Sequence, residues 1–389
     1  MQNVMQNVMQ NEKWGYFTIK NTADIESKNT LMLKYIEETP GEIETYLNSP
    51  LDGGSLKLIS ELSIRRSVVL VGCGTSYHVA LLGERYFQVI AGINAHALPS
   101  FDFALYRPEL VRDKILIAIS ESGAAKPTRE AVDEAKKRNA LTAGVTGSAE
   151  TPIAQVADLH IVVPGGPEKV GPKTRTFATG AVLLLRLAYE VRKLNDASYP
   201  NPFPEPAVFR LALEKAYSDS RKTIDKAASD WCDLEMFTFT GSGPAWVAAF
   251  EAALKMRENN YTFAEGHETE EYAHGRTRSY AKDRPLIVFA LNSPGIERCI
   301  DLINNALENK VPVMVVAEEG VSEIPHVDYL IRIPKMPSDN ISSIIAAMVM
   351  MIFSHQLSLA KKIDPDIIRL DQQEFLTSHR KWIFPPGTH

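Results

Sequence analysis

Long apolar runs, paired cysteines and an excess of basic residues are all absent from this sequence. The most apolar stretch, AAMVMMIF at 346–353, is too short to cross a bilayer and reads as a buried helix, so no membrane association is expected. Three cysteines in 389 residues, Cys73, Cys232 and Cys299, lie far apart with no paired spacing. That argues against a disulfide framework and a cysteine-based zinc site, and implies a reducing, cytoplasmic setting. Lys and Arg total 42 against 48 Asp and Glu, a formal charge of −6. No basic surplus exists to neutralise a phosphate backbone, and nucleic acid is not an expected partner. The start, MQNVMQNVMQN, has neither a cationic region nor an apolar core, so it is not a secretory signal; residues 1–27 read as a disordered leader.

With 45% hydrophobic and 23% charged residues, the chain has the composition of a soluble globular protein of two ordinary domains. An amphipathic helical stretch, LMLKYIEETPGEIETYL, precedes a region in which short β-branched runs alternate with helical patterns. SVVLVG (67–72), KILIAIS (114–120), LTAGVTG (141–147) and LHIVVP (159–164) form one series of expected strands. MFTFTGSG (236–243), PLIVFAL (285–291), VPVMVVA (311–317) and YLIRIP (329–334) form a second. The alternation predicts an α/β fold with parallel sheets covered on both faces. Each series opens with a strand running into a Gly-X-Gly turn and an Ala-rich helix, which suggests duplicated domains. Neither copy completes a dinucleotide fingerprint, and no cofactor is expected. The Pro-rich SYPNPFPEPAVF (198–209) separates the two as an extended linker leading to a connecting helix.

In open α/β sheets, ligands sit at the carboxyl ends of strands, beside helix N-termini that favour negative charge. Two loops of the first domain fall there: Gly72-Cys73-Gly74-Thr75-Ser76 and Ser120-Glu121-Ser122-Gly123. Their hydroxyl and N–H groups could cradle a phosphate or simply cap helices. In the second domain, EAALKMRENNYTFAEGHETEEYAHG (251–275) carries Glu251, Lys255, Glu258, Glu271 and His274. If 246–258 is helical, Glu251, Lys255 and Glu258 recur at i, i+4 and i+7 on one side and can serve acid/base chemistry, or form an ordinary exposed ion pair. His78 reads as a packing or solvent-facing helix residue. His267 and His274 show no established metal spacing, and no metal is expected.

Taken in order, the C-G-T-S and S-x-S-G loops, EKVGPKTRTFAT (168–179) and ExxxKxxExxY…AExxxxxExxHG resemble the sugar isomerase (SIS) family in its double-domain form. The isomerase half of glucosamine-6-phosphate synthase and the fructosamine-6-phosphate deglycases share this pattern, which covers roughly residues 30 to 375. The resemblance implies two flavodoxin-like domains, each a five-stranded parallel sheet flanked by helices. The expected partition is 28–197 for the N-terminal helix and first SIS domain, 198–228 for the linker and connecting helix, 229–365 for the second SIS domain and 366–389 for a tail. It also implies a homodimer with the active site at the subunit interface, the loop histidine crossing it.

By position, the resemblance makes Ser76, Ser120 and Ser122 phosphate ligands, with Gly74, Thr75 and Gly123 shaping the turns and Glu121, Lys173 and Thr174 beside them. Glu258 becomes the residue that shuttles a proton between C1 and C2 of an open-chain sugar, and His274 the ring-opening acid/base. Glu251 and Lys255 become the residues that orient or tune it. A partly desolvated carboxylate of raised pKa suits this proton transfer, although a cationic Lys255 one turn away would oppose the rise.

Two departures stand out. The family loop S-Q-S-G-E-T is S-E-S-G-A-A here, so Glu121 replaces an amide and Ala125 removes a hydroxyl. A carboxylate beside a phosphate needs a cation, for which Lys126, Lys173 and Arg175 are candidates; otherwise the ligand is unphosphorylated or carries an amine. In the tail, Gln373 stands where the synthase has a Schiff-base lysine, with Lys381 near but out of register. No glutaminase domain is read either. The expected function is therefore a phosphosugar isomerase or deaminase acting on an amino-sugar phosphate such as glucosamine 6-phosphate, with a fructosamine-6-phosphate deglycase, a plain aldose–ketose isomerase or a sugar-phosphate-binding regulator as alternatives.

Overall fold

The computed structural model describes residues 30–384, which leaves the expected N-terminal leader outside the described residues. Helix α1 (Leu31–Asn48) starts where Thr30 Oγ1 accepts the Leu33 N–H and the distant Asp366 carboxylate accepts the N–H groups of Leu31 and Met32 at 2.7 and 2.9 Å. After α2 (Gly53–Arg65), the first sheet is wound from β1 (Ser67–Gly72), α3 (Thr75–Val89), β2 (Asn94–Pro99), α4 (Ser100–Tyr106), β3 (Ile115–Ser120), α5 (Lys126–Lys136), β4 (Leu141–Thr146), α6 (Pro152–Val156) and β5 (Leu159–Val162). Helix α7 (Arg175–Asn195) and the 25-residue α8 (Pro206–Asp230) lead to the second sheet. Pro206 opens α8, where its missing N–H costs nothing.

The second sheet comprises β6 (Met236–Gly241), α9 (Ala245–Asn260), β7 (Phe263–Glu268), α10 (Thr269–Ala273), β8 (Leu286–Ala290), α11 (Ile296–Glu308), β9 (Val313–Glu318) and β10 (Tyr329–Ile333). Helices α12 (Asp339–Ala360) and α13 (Gln373–Ser378) complete the order. Both sheets are parallel and five-stranded, in the order β2-β1-β3-β4-β5 and β7-β6-β8-β9-β10. The second repeats the strand order of the first, without a helix between β9 and β10 among the described residues, and this doubly wound order brings ligands to the carboxyl edge beside the first strand.

The interiors of β1, β3, β8 and β9 are buried on both faces, which explains why they read as unbroken β-branched runs. One apolar core joins both sheets through α1, α3, α7, α8, α9 and α12. Helix α12 is long and apolar enough to pass a membrane-span criterion, yet 89% of its most apolar window is buried inside the protein, as expected of a core helix. The strands read from sequence are present within two residues at each end. Two strands escaped that reading, β2 (NAHALP) and β7 (FAEGHE), each at a sheet edge.

Candidate active site between the two sheets

Backbone geometry fixes the first ligand loop. A Cβ on Gly72 would stand 2.5 Å from the Ser76 carbonyl carbon, and Gly74 turns with φ +55°, so the chain leaves β1 and enters α3 within two residues. The loop after β3 closes through Gly123, whose φ is +61° and whose Cβ would lie 2.3 Å from that of Thr151. Ser122 Oγ accepts the Ala124 N–H there, and Ser120 is buried at the strand end.

Between these loops and α7 lies a small cavity lined by Thr75, Ser76, Glu121, Lys173 and Thr176 over an apolar floor that includes Val79 and Val163. Of the three serines expected as phosphate ligands, only Ser76 lines this space, with Thr75, Glu121 and Lys173 from the residues expected around them; Ser120 and Ser122 do not line it. Thr176 was missed. Of the three candidate cations, Lys173 is the partner of Glu121, at 2.8 Å; Lys126 pairs with Glu130 and Arg175 with Glu38. Glu121 is also a strut, since its Oε1 accepts the Glu168 N–H at 2.8 Å.

Glu168 had no role in the sequence reading and proves to be the cap of α7. Its fully buried carboxylate accepts the N–H groups of Thr174, Arg175 and Thr176 and both threonine hydroxyls. Thr174 is thereby placed away from the cavity, buried against Glu168. Replacing Glu168 with alanine strands these donors and is expected to lower unfolding free energy by roughly 2–3 kcal/mol, measured as a fall in the urea midpoint.

Opposite these loops, α9 presents its charged side to α3. Gly266 lets the helix lie close on β7, since a Cβ there would meet the Ala249 carbonyl carbon at 2.6 Å. Glu251 and Lys255 are wholly buried, which overturns the exposed ion-pair reading, and the Glu258 side chain is 32% exposed. Lys255 Nζ lies 3.3 Å from Glu251 Oε1 and 2.5 Å from Glu258 Oε2, and donates to Thr75 Oγ1 at 3.0 Å. The Thr75 hydroxyl in turn donates to Glu251 Oε1 at 3.1 Å, and His78 Nδ1 lies 2.6 Å from Glu251 Oε2.

Burial alone would raise the Glu251 carboxyl, but the Lys255 ammonium and the His78 hydrogen bond outweigh it and hold the group below its ordinary value. Burial likewise opposes charge on Lys255, and the flanking Glu251 and Glu258 carboxylates overcome it and raise the amine. The cluster is thus a carboxylate–ammonium–carboxylate row with one end open to a ligand, and the cation expected to oppose a raised Glu258 is in contact with it. His78, read from sequence as a packing or solvent-facing residue, is a member of the cluster. The available signal was its i,i+3 relation to Thr75, which puts both on one face of α3.

His274 stands apart. At the end of α10 its side chain is 71% exposed, with Nδ1 2.9 Å from the Glu270 carbonyl oxygen and 3.5 Å from that residue's carboxylate. Glu271 lies on the same short helix, and its N–H is taken by the Glu268 carboxylate. His267 bonds to Glu265 and stacks on Tyr272, and burial lowers its pKa. In the tail, Gln373 is exposed and donates to Thr377, and Lys381 sits over the Trp382 ring.

Residues 61–188, the stretch that carries the first sheet and both ligand loops, match the SIS domain. The first sheet is therefore an SIS domain. A glutamine-fructose-6-phosphate aminotransferase (isomerizing) of Pseudomonas aeruginosa is 25% identical over 376 residues, covering 93% of this chain. The chain spans 61% of that relative's length. Among solved structures, the C-terminal domain of glucosamine-fructose-6-phosphate aminotransferase from Francisella tularensis superimposes with a TM-score of 0.77 at 19% identity, over 87% of this chain and 98% of that one. Glucosamine-6-phosphate deaminase from Thermotoga maritima gives 0.71 at 24% identity, over 87% and 97%. The double SIS architecture is therefore the fold of this chain, both sheets included.

Proposed function

We propose that this SIS protein is an enzyme that isomerises and deaminates an amino-sugar phosphate such as glucosamine 6-phosphate, without a metal or organic cofactor. The observation that carries the reading is the row Glu251–Lys255–Glu258, buried at its first two members and ending on a carboxylate a third exposed. A binding protein would need only the loops; burying a carboxylate and an ammonium is costly and calls for a use. The deaminase named among the similar structures and the aminotransferases among the relatives support the substrate class.

The phosphate would lie against the N-terminus of α3 and the Ser120–Gly123 loop, its charge met by Ser76, Ser122 and Lys173. His274, reaching the site from a second copy in a homodimer, opens the ring by passing the O1 proton to O5 as the C1–O5 bond breaks, and as an imidazolium protonates O1 when C2 is deprotonated. The Glu258 carboxylate removes the proton from C2 of the open-chain aldehyde, leaving a C1–C2 enaminol. Return of that proton to C1 forms the C2 iminium, and water hydrolyses it to the ketose phosphate and ammonium. Lys255 holds the Glu258 carboxylate in place while it carries the proton.

An NMR time course with glucosamine 6-phosphate and a fructosamine 6-phosphate tests this directly. Loss of the former with release of ammonium is the expected result. Loss of the latter alone makes the protein a deglycase, and no change in either sinks both enzymatic readings.

The Glu121–Lys173 pair offers a separate check on the phosphate. Glu121→Gln frees the Lys173 cation from its carboxylate, so a phosphorylated ligand should bind on the order of five-fold tighter by calorimetry. Weaker binding would mean that Glu121 meets an amine on the ligand.

A further inference from the structure

His78 has no place in the chemistry just described, yet its imidazole is tied into the charged row. The side chain is 12% exposed and packed at 5.9 Å, tilted 56°, against the Phe250 ring of α9. Because Glu251 is an ionised carboxylate and can only accept, the hydrogen of the 2.6 Å contact belongs to Nδ1. Oε1 of Glu251 faces Thr75 and Lys255, while Oε2 faces His78. The carboxylate is thus held at both oxygens, one by the hydroxyl and ammonium, the other by the imidazole.

We infer that His78 is a positioning residue for proton transfer. It fixes the plane of Glu251, Glu251 fixes Lys255 at 3.3 Å, and Lys255 fixes Glu258 at 2.5 Å. This rests on the proposed role of Glu258. A general base misplaced by about 1 Å loses on the order of a hundredfold in rate while its ligand still binds. His78 itself touches no reacting atom, so its removal should appear in kcat rather than KM.

The experiment compares His78→Leu, which removes the donor, with His78→Asn, whose amide can place an N–H where Nδ1–H stands. With the sugar turned over by the wild type, His78→Leu should lower kcat 30- to 100-fold with KM within three-fold, by the same positioning logic. His78→Asn should recover to within about five-fold of wild type, since it restores the hydrogen bond and not the ring. Crystal structures of both variants give a readout that does not depend on turnover. Lys255 should leave Glu258 in the leucine variant and keep it in the asparagine variant. If wild type turns over neither sugar, the proposed function fails and these structures alone decide the positioning role. An unmoved Lys255–Glu258 contact in His78→Leu, unchanged kcat in that variant, or an asparagine variant as slow as the leucine one overturns the inference.

Discussion

Glu258→Gln should abolish turnover almost entirely, lowering kcat by about 10³–10⁴, the range expected when a positioned general base is neutralised. Binding should survive within a few-fold, because the loops that would hold the phosphate lie on the first sheet and do not include Glu258. The fold should survive too: the side chain is a third exposed, and Lys255 keeps Glu251 as its buried counter-ion. Stopped assays for ammonium and ketose phosphate, beside calorimetric binding, separate the effects. Residual kcat within ten-fold of wild type would remove Glu258 from the chemistry.

His274→Asn should be equally inactive, and the two dead variants can report on each other. If His274 acts across a subunit interface, co-expressed Glu258→Gln and His274→Asn chains form mixed dimers in which one of the two sites is intact. Random assembly then restores about a quarter of wild-type activity. If His274 acts within its own chain, mixing restores nothing. The exposed position of His274, bonded to Glu270 at the end of α10, is what makes the crossed arrangement worth testing.

The largest stability effect should come from Lys255→Met. Breaking a buried ionic group by removing one partner costs about 3–5 kcal/mol, because it leaves the remaining charge unpaired. Here two carboxylates would face each other across the vacated place. Denaturant unfolding should show the loss, and adding Glu251→Gln to the Lys255→Met chain should return part of it, a coupling of about 1–3 kcal/mol. No coupling would mean that the two groups do not depend on each other. The pH dependence follows from the same row. The Glu251 carboxyl is depressed in the folded protein, so its contribution is full above the unfolded carboxyl range of about 4.3 and is lost as pH falls through the lower folded value. The Lys255 amine is raised, so its contribution is full below about 10.4 and is lost as pH rises through the higher folded value. The wild type should therefore show a stability plateau from about pH 5 to 10, and Lys255→Met should lose the alkaline edge and show a weakened acid one.

Much of this was legible in the sequence because the sheets are parallel and doubly covered. Central strands such as ILIAIS and VMVVAE are buried throughout and are written in β-branched and aliphatic residues up to a polar one at the carboxyl end. NAHALP and FAEGHE sit at the edges, bury alternate side chains and carry polar ones between, so nothing in their composition separates them from loops. The spacing of Glu251, Lys255 and Glu258 announced one helical face. It could not announce that the face is buried, which depends on α3 of the first sheet packing over it. His78 and Glu168 were missed for a related reason. Each acts on a group that long-range packing or a folded-back loop brings near, and the i,i+3 spacing of His78 from Thr75 shows a shared face but not the Glu251 that the face meets.

The contacts of Thr75 and His78 with Glu251 also bear on how the molecule can move. They run from the first turn of α3, on one sheet, to the middle of α9, on the other. Parting the two halves as a clamshell would pull a carboxylate and an ammonium away from their partners within an apolar core, so hinge opening between the sheets is strongly disfavoured. These contacts join the two sheets, and a ligand would have to reach the cavity without their parting.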